Sequence, residues 1–323
     1  MKQTIRIFFT ALFAITMMIS APIARAAEIR IATQPIPAYS PIFVAKHKGF
    51  IEEELAKIKT QSPIKWSSFA AGPPINESFA SGQQDFGLLG DVPAIIGKSA
   101  GINTKIIALT SSGPKTLAVV VPGKSLITTP AGLKGKKVAV VKGSYAHHLL
   151  LLVLQKGGLT VNDIELINLS QADIATAIVN GNVDAAAVWE PLLTKLTTQG
   201  SVRLLADGTG IKKGVLVIIA TNDFITKNRA ATKAVLKAYQ RGAEFIKAHP
   251  ADAARLIAAD VNLTPELLLS LFKKFDYNPA IQAEDISEIK KSEAFLLSNG
   301  LIRSEVNIDT FADATLTKEI GLK

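Results

Sequence analysis

The chain contains no cysteine. That removes disulfides, thiolate metal sites and thiol nucleophiles, and with them the N-terminal Cys through which an exported bacterial protein can be lipid-anchored. Arginine is missing between Arg30 and Arg203, so the middle of the chain has no guanidinium fork with which to clamp a carboxylate. It has no His-Glu-x-x-His pair, no Ser-His-Asp arrangement and no carboxylates poised for acid–base work, so neither a metal nor an organic cofactor is expected. Tandem repeats, low-complexity tracts and coiled-coil heptads are absent too. The 36 basic residues outnumber 27 acids, for a net charge of +9. The lysines are scattered, with only short runs such as that from Lys134 to Lys137, and are not interleaved with aromatics. This is not a nucleic-acid footprint; it gives at most a weak general attraction for anions.

What is present begins with Lys2 and Arg6, an almost wholly apolar stretch from Ile7 to Ile23, and small residues at Ala24 and Ala26. This is the pattern of a secretory signal cleaved after Ala26, too short and too poorly flanked for a membrane anchor. The mature chain then begins at Ala27, free and soluble, and loses Lys2, Arg6 and Arg25 but no acid, so the charge falls from +9 to +6. About 297 residues remain, enough for two medium lobes with real cores.

From Glu28 onward, short β-branched runs alternate with helix-like segments, the pattern of parallel sheets covered by helices on both faces. Strands are expected at 29–33, 64–69, 85–89, 106–110 and 117–121, with helices from Pro41, over 73–81 and from Val92 to about Gly101. The Pro/Gly/Ser-rich stretch from Pro122 to Pro130 looks like a crossing between lobes. A second cycle follows, with strands at 138–141, 164–169, 184–188 and 202–205. Its helix from Tyr145 to Lys156 is apolar all round at Leu149–Leu154 and so belongs in an interior. Two further helices, near 173–180 and 191–198, separate the later strands. After Gly208, Gly210 and Gly214, the strand 215–220 returns to the first lobe. The last hundred residues read as helical: Leu236, Tyr239, Ala243 and Ile246 share one face, Pro250 ends that helix, and Thr264-Pro265-Glu266 starts another. The expected division is 1–26 signal, 27–121 with 215–323 as lobe I, and 122–214 as lobe II.

Three strand-to-helix turns combine glycine with small polar residues: Ala71-Gly72-Pro73-Pro74, Gly90-Asp91-Val92-Pro93 and Gly143-Ser144-Tyr145-Ala146-His147. Helix starts of this kind are anion sites by construction, because their first amides lack an intrahelical partner and carry partial positive charge. Taken singly, such a turn is more often plain capping than a binding site; three of them on two adjacent lobes favour binding more. Ser144 either caps its helix or donates to an anion, and His147, one turn on, either faces the same opening or packs. Trp189 and Glu190 follow a strand end, where ligands of open α/β sheets gather; the Trp189 ring is either cleft wall or core. Ser112 and Gly113 add donors at another strand end. Asp91 is a complication beside an anion: it caps its own helix, or it or Glu190 receives the amine of a zwitterion such as taurine.

At these same turns the sequence resembles the aliphatic sulfonate, taurine and nitrate branch of the ABC-transporter solute-binding proteins. The likeness rests on Tyr39 and Pro41 before Ala45–Phe50, on Phe69 with Gly72-Pro73, and on Asp85-Phe86-Gly87 before Gly90–Ala94. It continues through Leu133–Ala139, Lys142-Gly143-Ser144 with His147, Gly181 with Val183-Asp184-Ala185, and Trp189-Glu190-Pro191. It implies a type II periplasmic binding protein fold, two α/β lobes joined by two crossover strands, with cleft positions at Gly72, Pro73, Asp91, Gly113, Ser144, His147 and Trp189. Tyr39, Val92, Ser112, Gly143 and Glu190 complete the expected site. The function implied is capture of a small organic anion, foremost an aliphatic sulfonate, by a monomeric periplasmic protein that delivers it to ABC permease subunits. Nitrate, taurine and aromatic or pyrimidine compounds are the alternatives, although Trp189 and Tyr39 suit an organic tail better than nitrate. Dehydratases and a thiamine-pyrimidine synthase resemble the same fold. A secretory signal argues against both, and the absence of cysteine argues against the second.

Overall fold

The computed structural model describes residues 28–322; the expected signal segment and its cleavage point lie outside the described residues. The first run of elements is β1 (Ile29–Thr33), α1 (Ser40–His47), α2 (Phe50–Lys57), β2 (Ile64–Ser68), α3 (Gly72–Ala80), β3 (Phe86–Gly90), α4 (Asp91–Ser99) and β4 (Thr104–Ser111). Next come β5 (Leu117–Pro122), β6 (Lys137–Val140), α5 (Tyr145–Lys156), β7 (Glu165–Asn168), α6 (Gln171–Val179), β8 (Ala185–Trp189), α7 (Leu192–Thr198) and β9 (Val202–Asp207). The chain closes with β10 (Leu216–Thr221), α8 (Asn222–Lys227), α9 (Arg229–Ala248), α10 (Pro250–Ile257), α11 (Pro265–Phe272), α12 (Ala283–Ser298), α13 (Ile308–Phe311) and α14 (Thr315–Glu319).

Two five-stranded sheets result, ordered β2-β1-β3-β10-β4 and β7-β6-β8-β5-β9. They are built alike. In each, a parallel trio is joined to an edge strand through one antiparallel strand, β10 in the first sheet and β5 in the second. These two inserted strands are the ones the chain enters after passing from the other sheet. The two passages are therefore Ser112–Thr116 and Gly208–Val215.

This corrects one expectation. The sequence pattern places the strand beginning at Leu117 in the first lobe with the crossing after Pro122, yet β5 pairs with β8 and β9 and lies inside the second sheet. All of Leu117–Val121 is buried, and an apolar run of that kind fits either sheet, so pattern alone could not assign it. Pro250 is a smaller correction of the same sort. It does follow the end of α9, but it serves as the first residue of α10, where its missing N–H costs nothing.

Alternation along the strands divides the second lobe's core. Ala118, Val120, Ala186 and Val188 pack with Ile174, Ile178, Leu193 and Leu196 under α6 and α7. Val119, Val121, Ala185, Ala187 and Trp189 face the other way, in the cluster that holds Leu149, Leu150 and Leu154 of α5. Period-two geometry thus delivers Trp189, the last residue of β8, to the α5 side. Among the described residues no helix is long and apolar enough to cross a membrane.

Candidate functional site

A small cavity of about 10 Å³, roughly the room of one water, lies where the strand ends of the two sheets face one another. Its wall is Gln34, Ile36 and Tyr39 after β1, Gly72 at the start of α3, Gly90 and Pro93 around the start of α4, and Leu216 on β10. The second lobe adds Ser144 and Tyr145 at the start of α5, and Trp189 at the end of β8. The two sides touch: a Cβ added at Gly90 would stand 3.2 Å from that of Tyr145, and one at Gly143 would stand 3.6 Å from Ile96 and Pro73. The lobes are closed on each other, and an organic guest needs them to part.

The wall carries no charged residue. Tyr39 is fully buried, and its hydroxyl accepts from Gln34 Nε2 at 3.0 Å, so its own proton is free to donate. Burial pushes its pKa well above the ordinary phenol value. Tyr145 is held up in the same way, first by burial and then by the charges of Glu190 and Asp91. Its ring lies 5.7 Å from that of Trp189 at a 48° tilt. Among the described residues the one arginine before Arg203 is not available here, since the fork of Arg30 is spent on Asp85.

The three helix starts differ in what they can still donate. At α4 nothing is left: the Asp91 N–H goes to the Val215 carbonyl at 3.1 Å, the Val92 N–H to Asp91 Oδ1 at 2.8 Å, and Pro93 has none. At α3, Pro73 and Pro74 have no N–H either, which leaves the amide of Gly72. A Cβ at Gly72 would press to 2.5 Å from Pro93, so only glycine lets that backbone come so close. At α5, Ser144 Oγ takes the His147 N–H at 3.2 Å, and the Tyr145 and Ala146 amides remain open for a guest.

Of the residues anticipated from sequence, Tyr39, Gly72, Ser144 and Trp189 stand on the cavity wall, and Pro73, Asp91, Val92, Ser112, Gly113, Gly143, His147 and Glu190 do not. Ser112 exchanges backbone hydrogen bonds with Asp276, and the Gly113 N–H goes to the Lys213 carbonyl. Both belong to the passage between sheets. Gly143 sits behind the wall, with φ +75°. Its N–H donates to His147 Nδ1 at 3.3 Å, which places the imidazole proton on Nε2, and that buried atom has no partner among the described residues. Burial, helped by Lys142, lowers the His147 pKa to about 4. His147 is a neutral ring.

Of the two roles open to Asp91 the structure shows the cap on its own helix, and both Asp91 and Glu190 are engaged by other partners. Asp91 is fully buried against Lys212 Nζ at 2.7 Å and also accepts from Ser292 Oγ at 2.7 Å. Glu190 accepts from Lys274 Nζ and from the Thr194 hydroxyl at 2.9 Å and amide at 3.0 Å. Lys212 and Lys274 could not be found from sequence, since they lie 121 and 84 residues from their partners. Gln34 could have been, as a polar residue just past a strand end.

Two α/β sheets facing across a cleft, with the site at their strand ends, define a type II periplasmic binding protein fold. The chain belongs to the NMT1/THI5-like family, whose pattern matches residues 36–253. It is similar to the alkanesulfonate-binding protein SsuA from Xanthomonas axonopodis pv. citri, solved bound to MOPS, with TM-score 0.80 and 29% identity over 90% of this chain and 99% of that one. The periplasmic aliphatic sulphonate binding protein SsuA from Escherichia coli matches with TM-score 0.77 and 30% identity, covering 88% and 97%. The taurine-binding periplasmic protein of Escherichia coli (strain K12) is 30% identical over 176 residues, 54% of each chain.

Proposed function

We propose that this chain is the exported, periplasmic solute-binding component of an ABC importer, and that it captures an organic anion of the alkanesulfonate class between its lobes. One observation carries the reading: the start of α5, through Ser144 and Tyr145, stands at a cavity that Trp189 and Tyr39 also line. Convergent N–H and O–H donors suit a tetrahedral oxygen cluster, and the rings suit an apolar tail, which a nitrate ion would leave unused. The likeness to sulfonate-binding relatives supports the same ligand class.

In the open state the anion engages the Tyr145 and Ala146 amides of the second lobe. Closure then brings up the Gly72 amide, the Tyr39 hydroxyl and the apolar residues of the first lobe. Because the guest touches both halves only when they are shut, binding favours the closed state. The passages at Ser112–Thr116 and Gly208–Val215 are where the bending would occur, and the closed form would be the one that docks on the permease. The wall offers no charged acid, base or activated nucleophile, which supports capture over turnover.

The test is a thermal-shift screen of the mature protein against alkanesulfonates, sulfate, nitrate and aromatic carboxylates, since a ligand of the folded state raises the melting temperature. Stabilisation by C2–C6 alkanesulfonates and not by nitrate is expected. A shift with nitrate alone would overturn the reading.

A further inference from the structure

Between α9, α11 and the segment that follows α11 lies a half-open cavity of about 750 Å³, within the range of roughly 300–1,000 Å³ that holds a small organic molecule. It shares no residue with the cleft wall, so a guest enters it without any parting of the lobes. A helix brings residues three and four apart to one face, and α9 gives this cavity Gln240, Ala243, Glu244 and Lys247. Leu269 and Phe272 of α11, with Phe275 and Tyr277 beyond it, supply an apolar wall. The Phe275 and Tyr277 rings stack with centroids 5.6 Å apart, and Phe272 meets Tyr277 edge-on at 6.1 Å.

This wall is preformed. The Tyr277 hydroxyl donates to the Pro37 carbonyl at 2.7 Å. Asp276 exchanges backbone hydrogen bonds with Ser112 at 2.8 and 2.9 Å, and the Pro279 carbonyl accepts the Leu109 N–H at 3.0 Å. A backbone tied down on both sides of Tyr277 holds the rings in place, so they cannot fold inward to cover their own apolar surface.

The rim holds charges of both signs that are unequally engaged. Glu244 accepts from Gln240 Nε2 at 2.9 Å, and Asp276 Oδ1 accepts the Asn278 N–H at 3.0 Å. Lys247 and Lys273 are exposed, and neither ammonium has an ion pair or a hydrogen-bond partner among the described residues. The geometry points to a second binding site, for an amphiphilic organic anion with a fused-ring or other aromatic body. That body packs on Phe272, Phe275 and Tyr277. Its acidic head stays at the wet rim beside Lys247 and Lys273, where no charge has to be buried. A short alkanesulfonate would leave most of the apolar wall in water, so the two sites take anions of different size.

The probe is 8-anilinonaphthalene-1-sulfonate, and the measurement is its fluorescence titration on the mature protein with and without excess propane-1-sulfonate. One site per chain is expected, with an affinity that propane-1-sulfonate leaves within twofold. The double variant Lys247→Glu/Lys273→Glu changes two exposed side chains and should weaken the probe at least tenfold with the melting temperature kept. Uncharged N-phenyl-1-naphthylamine should be insensitive to that double variant. Ala243→Trp, which fills part of the cavity, should weaken both probes. No binding by the unaltered protein, displacement by propane-1-sulfonate, or unchanged affinity in both variants would overturn the inference. None of these results bears on the cleft, whose reading is tested by small sulfonates without this probe.

Discussion

His148 on α5 and Phe295 on α12 stack across the boundary between the lobes, ring centroids 4.4 Å apart and tilted by 31°. The imidazole is 3% exposed, and its Nδ1 has no hydrogen-bond partner among the described residues. Burial first, then the charges of Lys212 and His147, lowers its pKa to about 2. Two neutral histidines in one helical turn are thus shut in by the closed form.

Acid should therefore destabilise the protein, and the sign follows from linkage. Both pKa values fall below the ordinary 6.5 on folding, so the unfolded state binds more protons below that pH. The stability contribution is full above pH 6.5 and is lost as pH drops toward about 4 for His147 and about 2 for His148. The slope is about 1.4 kcal/mol per pH unit for each ring. Melting curves at pH 7.5, 6 and 5 should show this loss, and His148→Gln should make it shallower. A pH-independent melting temperature across that range would contradict the buried state of both rings.

Removing Asp91 should be costly, because Lys212 has 0% side-chain exposure and pairs with it. Asp91→Ala leaves a buried ammonium without its counter-charge, and a loss of about 3–5 kcal/mol is expected in urea denaturation. The double variant Asp91→Ala/Lys212→Met should recover much of that loss. Equal stability of the single and double variants would show that the pair is not coupled.

Ser144→Ala should separate capping from binding. The cap on the His147 N–H is worth about 1 kcal/mol of stability, a modest drop in melting temperature. Ala146→Pro, by contrast, removes an amide that only the guest uses, at a helix start like that of α3, which already carries two prolines. It should weaken sulfonate binding at least tenfold by calorimetry with the fold retained. Unchanged affinity would take that amide out of the site.

Local signals made most of the framework readable. Strand β1 and helix α5 fall where periodicity puts them, and the Thr264 hydroxyl caps α11 by accepting the Leu267 N–H as its sequence implies. What escaped is what depends on distant partners. Nothing within Leu117–Val121 tells which sheet it joins, and nothing near Asp91 or Glu190 announces a lysine far along the chain. The Gly90-Asp91-Val92-Pro93 turn has the composition of an anion site, yet its donors are consumed by Val215 and by Asp91 itself. A motif gives the number of amides; only the fold shows which are already engaged.

The anion is expected at the start of α5, and a crystal structure of the mature protein grown with propane-1-sulfonate decides the point. The sulfonate oxygens should lie within hydrogen-bond distance of the Tyr145 and Ala146 amides, with the alkyl tail against Trp189. A sulfonate found outside the groove between the lobes, or inside it but away from those two amides, would rule out the start of α5 as the anion site.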